Sequence, residues 1–140
     1  MKTLDELNIP TTGFNAVDGS GLSRSNRVST RMLAQLLLKT YMTDKYQTIY
    51  NGLPIGGVSG TLSKRFVKSA PKAIGLARAK TGVLTGVVSL AGYVQGGDHE
   101  YIFVIVADKV APSESASKAA CDAIDKIIAS FAKPISRAAL

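Results

Sequence analysis

Gly86-Val87-Val88-Ser89-Leu90-Ala91-Gly92-Tyr93-Val94-Gln95-Gly96-Gly97-Asp98-His99-Glu100-Tyr101-Ile102-Phe103-Val104-Ile105-Val106-Ala107-Asp108 is the stretch whose pattern determines the architecture. Two runs rich in β-branched and aromatic residues, Gly86 to Gln95 and Glu100 to Asp108, read as strands, and the polar Gly96-Gly97-Asp98-His99 between them fits a hairpin turn. Tyr101 to Val106 is apolar on both alternating faces, so helices rather than water are expected on both sides of the sheet. Such a strand belongs in the middle of a sheet. As the last strand of a meander it exposes an unpaired edge, so a further strand is expected beside it.

Working upstream, Ala73 to Thr81 is a third strand-like run, joined to the hairpin through Gly82 to Thr85, which makes an antiparallel meander. Before it, Ser29 or Thr30 can cap a helix whose apolar residues Met32, Leu33, Leu36, Leu37 and Tyr41 recur at three- and four-residue spacing. Thr43-Asp44 can start a second short helix running through Ile49, and both are expected to be core helices. Downstream of Pro112 a helix carries Ala116, Ala120, Ala123, Ile124, Ile127, Ile128 and Phe131 on one stripe and is stopped by Pro134, after which the tail is expected to fray. The fold class is therefore α+β, a three-stranded antiparallel sheet flanked by helices.

Composition narrows the function. At 140 residues the chain can bury about 68% of its unfolded surface, enough for one core. Its 17 basic against 10 acidic residues give a net charge of +7, but Lys64, Arg65, Lys68, Lys72 and Arg78 are scattered without interleaved aromatics, which argues for a solvated surface and against nucleic acid. Cys121 is the one cysteine and His99 the one histidine, so an internal disulfide and a metal site built from Cys/His clusters are excluded, and no cofactor is expected. Cys121 reads as a small thiol on a helix and His99 as a turn residue; no serine elbow accompanies His99 to suggest a Ser-His-Asp triad. Gly56-Gly57-Val58-Ser59-Gly60 reads as turn geometry rather than a phosphate cradle, because neither a preceding strand nor a Lys-Ser/Thr ending is present. No apolar run suggests a membrane span, and Met1 to Leu7 carries no apolar core of a signal peptide.

The blocks that carry chemistry are Lys80-Thr81-Gly82, set within Arg78 to Gly86, together with Val17-Asp18-Gly19-Ser20-Gly21-Leu22-Ser23-Arg24, Leu53-Pro54-Ile55-Gly56-Gly57-Val58-Ser59-Gly60-Thr61-Leu62 and Ser89-Leu90-Ala91-Gly92-Tyr93. In this order and spacing, from about Val17 to about Ile128, the chain resembles the C-terminal portion of the D-alanyl-D-alanine carboxypeptidases and endopeptidases called class C low-molecular-mass penicillin-binding proteins. The resemblance implies the C-terminal part of the penicillin-binding, β-lactamase-like serine transpeptidase fold over residues 1–140. It also implies a serine acyl-enzyme formed on a D-Ala-D-Ala stem peptide of peptidoglycan, a β-lactam as the trapping ligand, and a periplasmic or extracytoplasmic location.

Two of the family's motifs are absent. The Ser-x-x-Lys of Ser115-Ala116-Ser117-Lys118 lies on the helix that follows the sheet, whereas the family's nucleophile lies far upstream. Ser23-Arg24-Ser25-Asn26 has two intervening residues where the family's Ser-x-Asn has one. The expectation is a C-terminal portion beginning at an internal Met1, inactive by itself, whose partner is the N-terminal segment or a chain supplying it. The alternative is a non-catalytic remnant that binds peptidoglycan stem peptides.

Roles carry over where residues match. The resemblance implies that the Lys80 ammonium supplies positive potential for the substrate's terminal carboxylate, that the Thr81 hydroxyl bonds it, and that Gly82 permits close backbone approach. It likewise implies that the backbone N–H of Val83 forms half of the oxyanion hole. By the same resemblance, Arg24 is expected to bind the side-chain carboxylate of a diaminopimelate-type stem peptide, with help from Thr85 and packing from Leu22. A bland reading of Arg24 stands beside this one: a loop arginine holding backbone carbonyls or Asp18. Asp18 to Gly21 are expected to shape the loop through turn chemistry.

Overall fold

In the computed structural model, residues 2–136 are described. The elements in chain order are helix α1 (Lys2–Glu6), α2 (Thr30–Tyr41), α3 (Tyr46–Gly52), 3-10 turns at Gly60–Leu62 and Pro71–Ala73, strands β1 (Ala77–Leu84), β2 (Val87–Gly96) and β3 (His99–Asp108), and helix α4 (Glu114–Phe131). The sheet has the order β1-β2-β3, antiparallel throughout, with Lys80 opposite Ala91 and Ala91 opposite Val104. The α+β class and the hairpin are as the sequence pattern implies: Gly97, at φ 69°, takes the left-handed conformation that the tight turn requires.

Register decides which residues share a face, because side chains alternate along a strand. One face carries Ala77, Ala79, Val88, Leu90 and Val94. These close against Ile124 and Ile128 of α4 and against Leu62, Phe66, Ala70 and Ala73 of the segment before β1, forming the core. The other face carries Arg78, Lys80 and Tyr93 and lies under α2 and α3. There the fully buried Tyr93 donates its hydroxyl to the Leu37 carbonyl at 3.0 Å and sits among the rings of Tyr41, Tyr46 and Tyr50. β3 thus has α2 on one face and α4 on the other. Its position is nonetheless that of an edge strand among the described residues, with Tyr101 and Val106 both more than 40% exposed.

Several boundaries differ from the pattern-based expectation. β1 begins at Ala77 rather than Ala73, because Pro71 starts a 3-10 turn and Gly75, at φ 75°, redirects the chain before pairing begins. It also continues past Thr81 to Leu84, so the connection shrinks from Gly82–Thr85 to Thr85-Gly86. α3 starts at Tyr46 rather than Thr43, with Lys45 at its N-cap and no side-chain cap, while the Thr43 hydroxyl donates back to the Thr40 carbonyl at 2.9 Å. α2, capped by Ser29 as expected, and α3 are not core helices: Met32 is their one buried residue, while Leu38 and Ile49 are more than 40% exposed. On α4, Ile124 and Ile128 are buried, but Ile127 and Phe131 of the expected stripe are about half exposed. α4 ends before Pro134, and Lys133 then exchanges backbone bonds with Gln95 and Gly97. The tail expected to fray lies, from residue 137 on, outside the described residues.

Candidate active site

β1 is the outer strand, so alternate residues turn their backbone N–H and C=O groups away from β2. At its start these are taken: Gly56 N–H donates to the Ala77 carbonyl at 2.9 Å and Ala79 N–H donates to the Pro54 carbonyl at 3.0 Å. The same two-residue period points the N–H groups of Thr81 and Val83 outward, where among the described residues no loop backbone pairs with them. The edge is therefore closed up to Ala79 and open beyond it.

The predicted residues line this open edge. Lys80 and Thr81, adjacent in sequence, flank it from opposite faces. The Lys80 ammonium, exposed, lies 2.7 Å from the outward Thr81 carbonyl, to which it donates. The Thr81 hydroxyl donates to the Thr61 hydroxyl at 3.1 Å. Sequence reasoning did not single out Thr61, because its partner is 20 residues away and Gly60-Thr61-Leu62 carries no local sign of the contact. The Val83 side chain is 60% exposed, leaving its backbone as the useful part. For Gly82 the structure adds a second reason for glycine: a Cβ there would collide with the Ser89 hydroxyl of β2.

At the far end of the edge, Arg24 donates to the Thr85 carbonyl at 3.1 Å, so Arg24 and Thr85 meet through the backbone rather than through the Thr85 hydroxyl. Leu22 projects from the same loop, 68% exposed. Asp18 ties that loop together: its carboxylate accepts from Asn26 Nδ2 (2.8 Å), Ser20 Oγ (2.8 Å), Ser23 N (2.9 Å) and Gly21 N (3.1 Å). The amide of Asn26 and then the hydroxyl of Ser20, with the two backbone donors, hold the Asp18 carboxyl at about 2, below its usual 3.8. A lowered pKa means that the ionised form supports the folded loop: this support is complete above about pH 4 and is lost as pH falls through about 2. The amide signals of Gly21 and Ser23 are therefore expected to hold their native positions down to about pH 3; a transition centred at pH 4 contradicts this.

Ser115 and Lys118 stand apart from this edge, on α4. Lys118 is ion-paired with Asp122 at 2.5 Å, and the Ser115 hydroxyl meets that of Ser113 at 3.2 Å. His99 is exposed at the start of β3, with its ring 6.5 Å from that of Tyr101. Cys121 is a partly buried free thiol. Among the described residues no group of three or more His, Cys, Asp or Glu is placed to hold a metal ion, and no helix is long and apolar enough to cross a membrane.

A model of the D-Ala-D-Ala carboxypeptidase 3 (S13) family matches residues 1–131. A D-alanyl-D-alanine carboxypeptidase of Actinomadura sp. is 38% identical over 110 residues, 75% of this chain and 20% of that protein. A carboxypeptidase of Mycolicibacterium smegmatis is 33% identical over 135 residues, 93% of this chain and 29% of its own. Among solved structures, penicillin binding protein 4 of Haemophilus influenzae, complexed with a β-lactam, superposes with a TM-score of 0.76 at 26% identity, covering 94% of this chain and 32% of that one. A predatory endopeptidase of Bdellovibrio bacteriovorus in complex with an immunity protein shares the fold, with a TM-score of 0.74 at 16% identity over 99% of this chain and 39% of its own. The chain spans less than a third of the length of the curated relatives it matches.

Proposed function

The chain belongs to the D-Ala-D-Ala carboxypeptidase 3 (S13) family, and from that premise we propose that it forms the substrate-binding wall of a serine-type D-alanyl-D-alanine carboxypeptidase or endopeptidase of peptidoglycan. Residues 1–140 then make up the C-terminal part of the transpeptidase-like domain. The observation that carries this reading is the open edge of β1, bounded by an ammonium on one face and a hydroxyl pair on the other.

An extended peptide can add to such an edge as a strand, with its backbone paired to the outward groups of Thr81 and Val83. Lys80 turns from the Thr81 carbonyl to the peptide's terminal carboxylate, exchanging a neutral acceptor for a charged one, and the Thr81 hydroxyl bonds the same group. The Val83 N–H then faces the scissile carbonyl and stabilises the oxyanion that develops when a serine attacks. As the C–N bond breaks, D-alanine leaves as the amine and water later hydrolyses the serine ester. Four strand steps along, about 13 Å at 3.3 Å per residue, Arg24, Leu22 and Thr85 receive the stem-peptide side chain. The Arg24 guanidinium keeps its grip on the Thr85 carbonyl and uses its remaining donors for a carboxylate.

The serine, its base and the second oxyanion N–H are assigned to the N-terminal part of the domain. The free edge of β3 is the natural docking strand for that part. Its apolar channel beside Ile127 and Phe131 would be covered by the same contact. A β-lactam, the ligand of the Haemophilus neighbour, would occupy the β1 edge as a peptide mimic, in a protein working at the periplasmic or outer face of the membrane.

The reading is tested by titrating the chain with an acyl-D-Ala-D-Ala peptide and with the same peptide capped as its C-terminal amide. The free carboxylate is expected to bind more tightly, and Lys80→Ala to remove about tenfold of that preference, the low end for a hydrogen bond to a charged group because Lys80 is exposed. Equal affinities for acid and amide would refute it. Intact mass after incubation with penicillin locates the nucleophile: a covalent adduct on Ser115 or another serine of this chain would overturn its assignment to the N-terminal part.

A further inference from the structure

The hydroxyls of Thr61 and Thr81 stand 3.1 Å apart at the lip of the open edge, and we infer that Thr61 is a substrate-positioning residue that sets the Thr81 hydroxyl for a peptide carboxylate. This rests on the reading of Lys80 and Thr81 given above. Two hydroxyls carry two protons, and the single bond between them uses one, so the pair presents one proton outward in either arrangement. With Thr81 donating to Thr61, the outward proton belongs to Thr61. When a carboxylate arrives beside Lys80, rotation of both hydroxyls reverses the pair: Thr61 donates to Thr81, and Thr81 donates to the carboxylate. No heavy atom needs to move.

The segment carrying Thr61 is held firmly enough to act this way. Leu62, its neighbour, is fully buried; the Leu62 carbonyl accepts from Gly57 N–H at 2.9 Å, and Leu62 N–H donates to the Ser59 carbonyl at 3.2 Å. Gly60 sits at φ 54° against Pro54, where an added Cβ would lie 3.2 Å from the proline ring, closer than ordinary van der Waals contact. Thr61 itself is exposed, so its hydroxyl is available while its backbone is fixed.

Thr61→Val keeps the shape and removes the hydroxyl; Thr61→Ser keeps the hydroxyl. In the acid-against-amide titration, Thr61→Val is expected to lower the preference for the free carboxylate about 3- to 10-fold, the range of one hydrogen bond, and Thr61→Ser to stay within about twofold of the native chain. Three-bond couplings of the Thr81 side chain should report a single χ1 rotamer in the native and Thr61→Ser chains and averaging in Thr61→Val. If the native chain prefers the carboxylate and Thr61→Val retains that preference in full, the inference is wrong while the function stands. Equal loss in Thr61→Ser and Thr61→Val also overturns it, because the hydroxyl would not be the active group. A native chain without any preference removes the function and this inference together.

Discussion

Replacing Asp125 by alanine is expected to lower the stability of the chain by about 3–5 kcal/mol, the range for stripping one partner from a buried ion pair. Asp125 is 1% exposed and is the hub that fixes the segment before β1 to α4. Its carboxylate takes Arg65 bidentately, through Nη2 at 2.5 Å and Nε at 2.9 Å, and also accepts from the Phe66 backbone N–H at 3.1 Å and from the Ser69 hydroxyl at 3.4 Å. Burial alone would lower the Arg65 pKa, but the hydrogen bonds and charge of Asp125 outweigh it and raise the guanidinium above its usual value. Phe66, held at φ 69°, is a non-glycine residue in the left-handed region, a conformation that persists because its N–H is bound and its ring is buried.

Without the carboxylate, the guanidinium keeps only the Cys121 carbonyl at 3.2 Å, and one backbone donor and one hydroxyl lose their acceptor with it. Against a typical total of about 5–15 kcal/mol, that is a large share. Urea unfolding followed by circular dichroism should show the midpoint fall sharply, and Asp125→Asn should fall between the two, since its one oxygen can still accept from Phe66. The paired change Arg65→Met with Asp125→Leu should recover part of the loss but not all of it, because the Phe66 N–H stays unbound. A fall of less than about 1 kcal/mol in Asp125→Ala would show the clamp to be incidental.

The second large effect is expected at Gly92. A Cβ there would overlap the Arg78 carbonyl oxygen and lie 2.7 Å from Ala79 Cα, and both are backbone atoms of β1, so no side-chain rotation relieves the clash. Gly92→Ala must push β1 away from β2, at a cost of about 3 kcal/mol, the upper part of the overpacking range. Its second consequence is functional, because Lys80 and Thr81 follow Ala79 directly on the displaced strand. Unfolding and the acid-against-amide titration should therefore both suffer. Gly82→Ala is the informative contrast: the obstacle there is one hydroxyl, that of Ser89, so its stability cost is expected below about 1 kcal/mol. Should Gly92→Ala prove as mild as Gly82→Ala, the tight approach of the two strands does not matter.

Much of the site was legible because it is local. Lys80, Thr81, Gly82 and Val83 are consecutive on one strand, and the turn residues Asp18 to Gly21 fold their own loop around the Asp18 carboxylate, as their chemistry implies. Thr61 and the tyrosine cluster were not legible. Thr61 meets Thr81 across 20 residues, and Tyr46 and Tyr50 reach Tyr93 from a helix that shows no sequence sign of covering a sheet. The same limit explains the helices. Periodicity in α2 correctly identified a helix with one apolar stripe, but what covers that stripe depends on contacts far along the chain: Met32 is buried, Leu33, Leu36 and Leu37 are half-buried, and Tyr41 is exposed.

What the sequence by itself determined is the hairpin, the meander and the place of Lys80 and Thr81 on its first strand, because alternation, turn glycines and helix caps act within a few residues. Only the tertiary structure decided which stretch of β1's edge is open. Loop residues Pro54 to Gly56 close its first half, and that loop leads into the segment held by Asp125 from α4, a partnership between residues about 60 positions apart that no local pattern encodes.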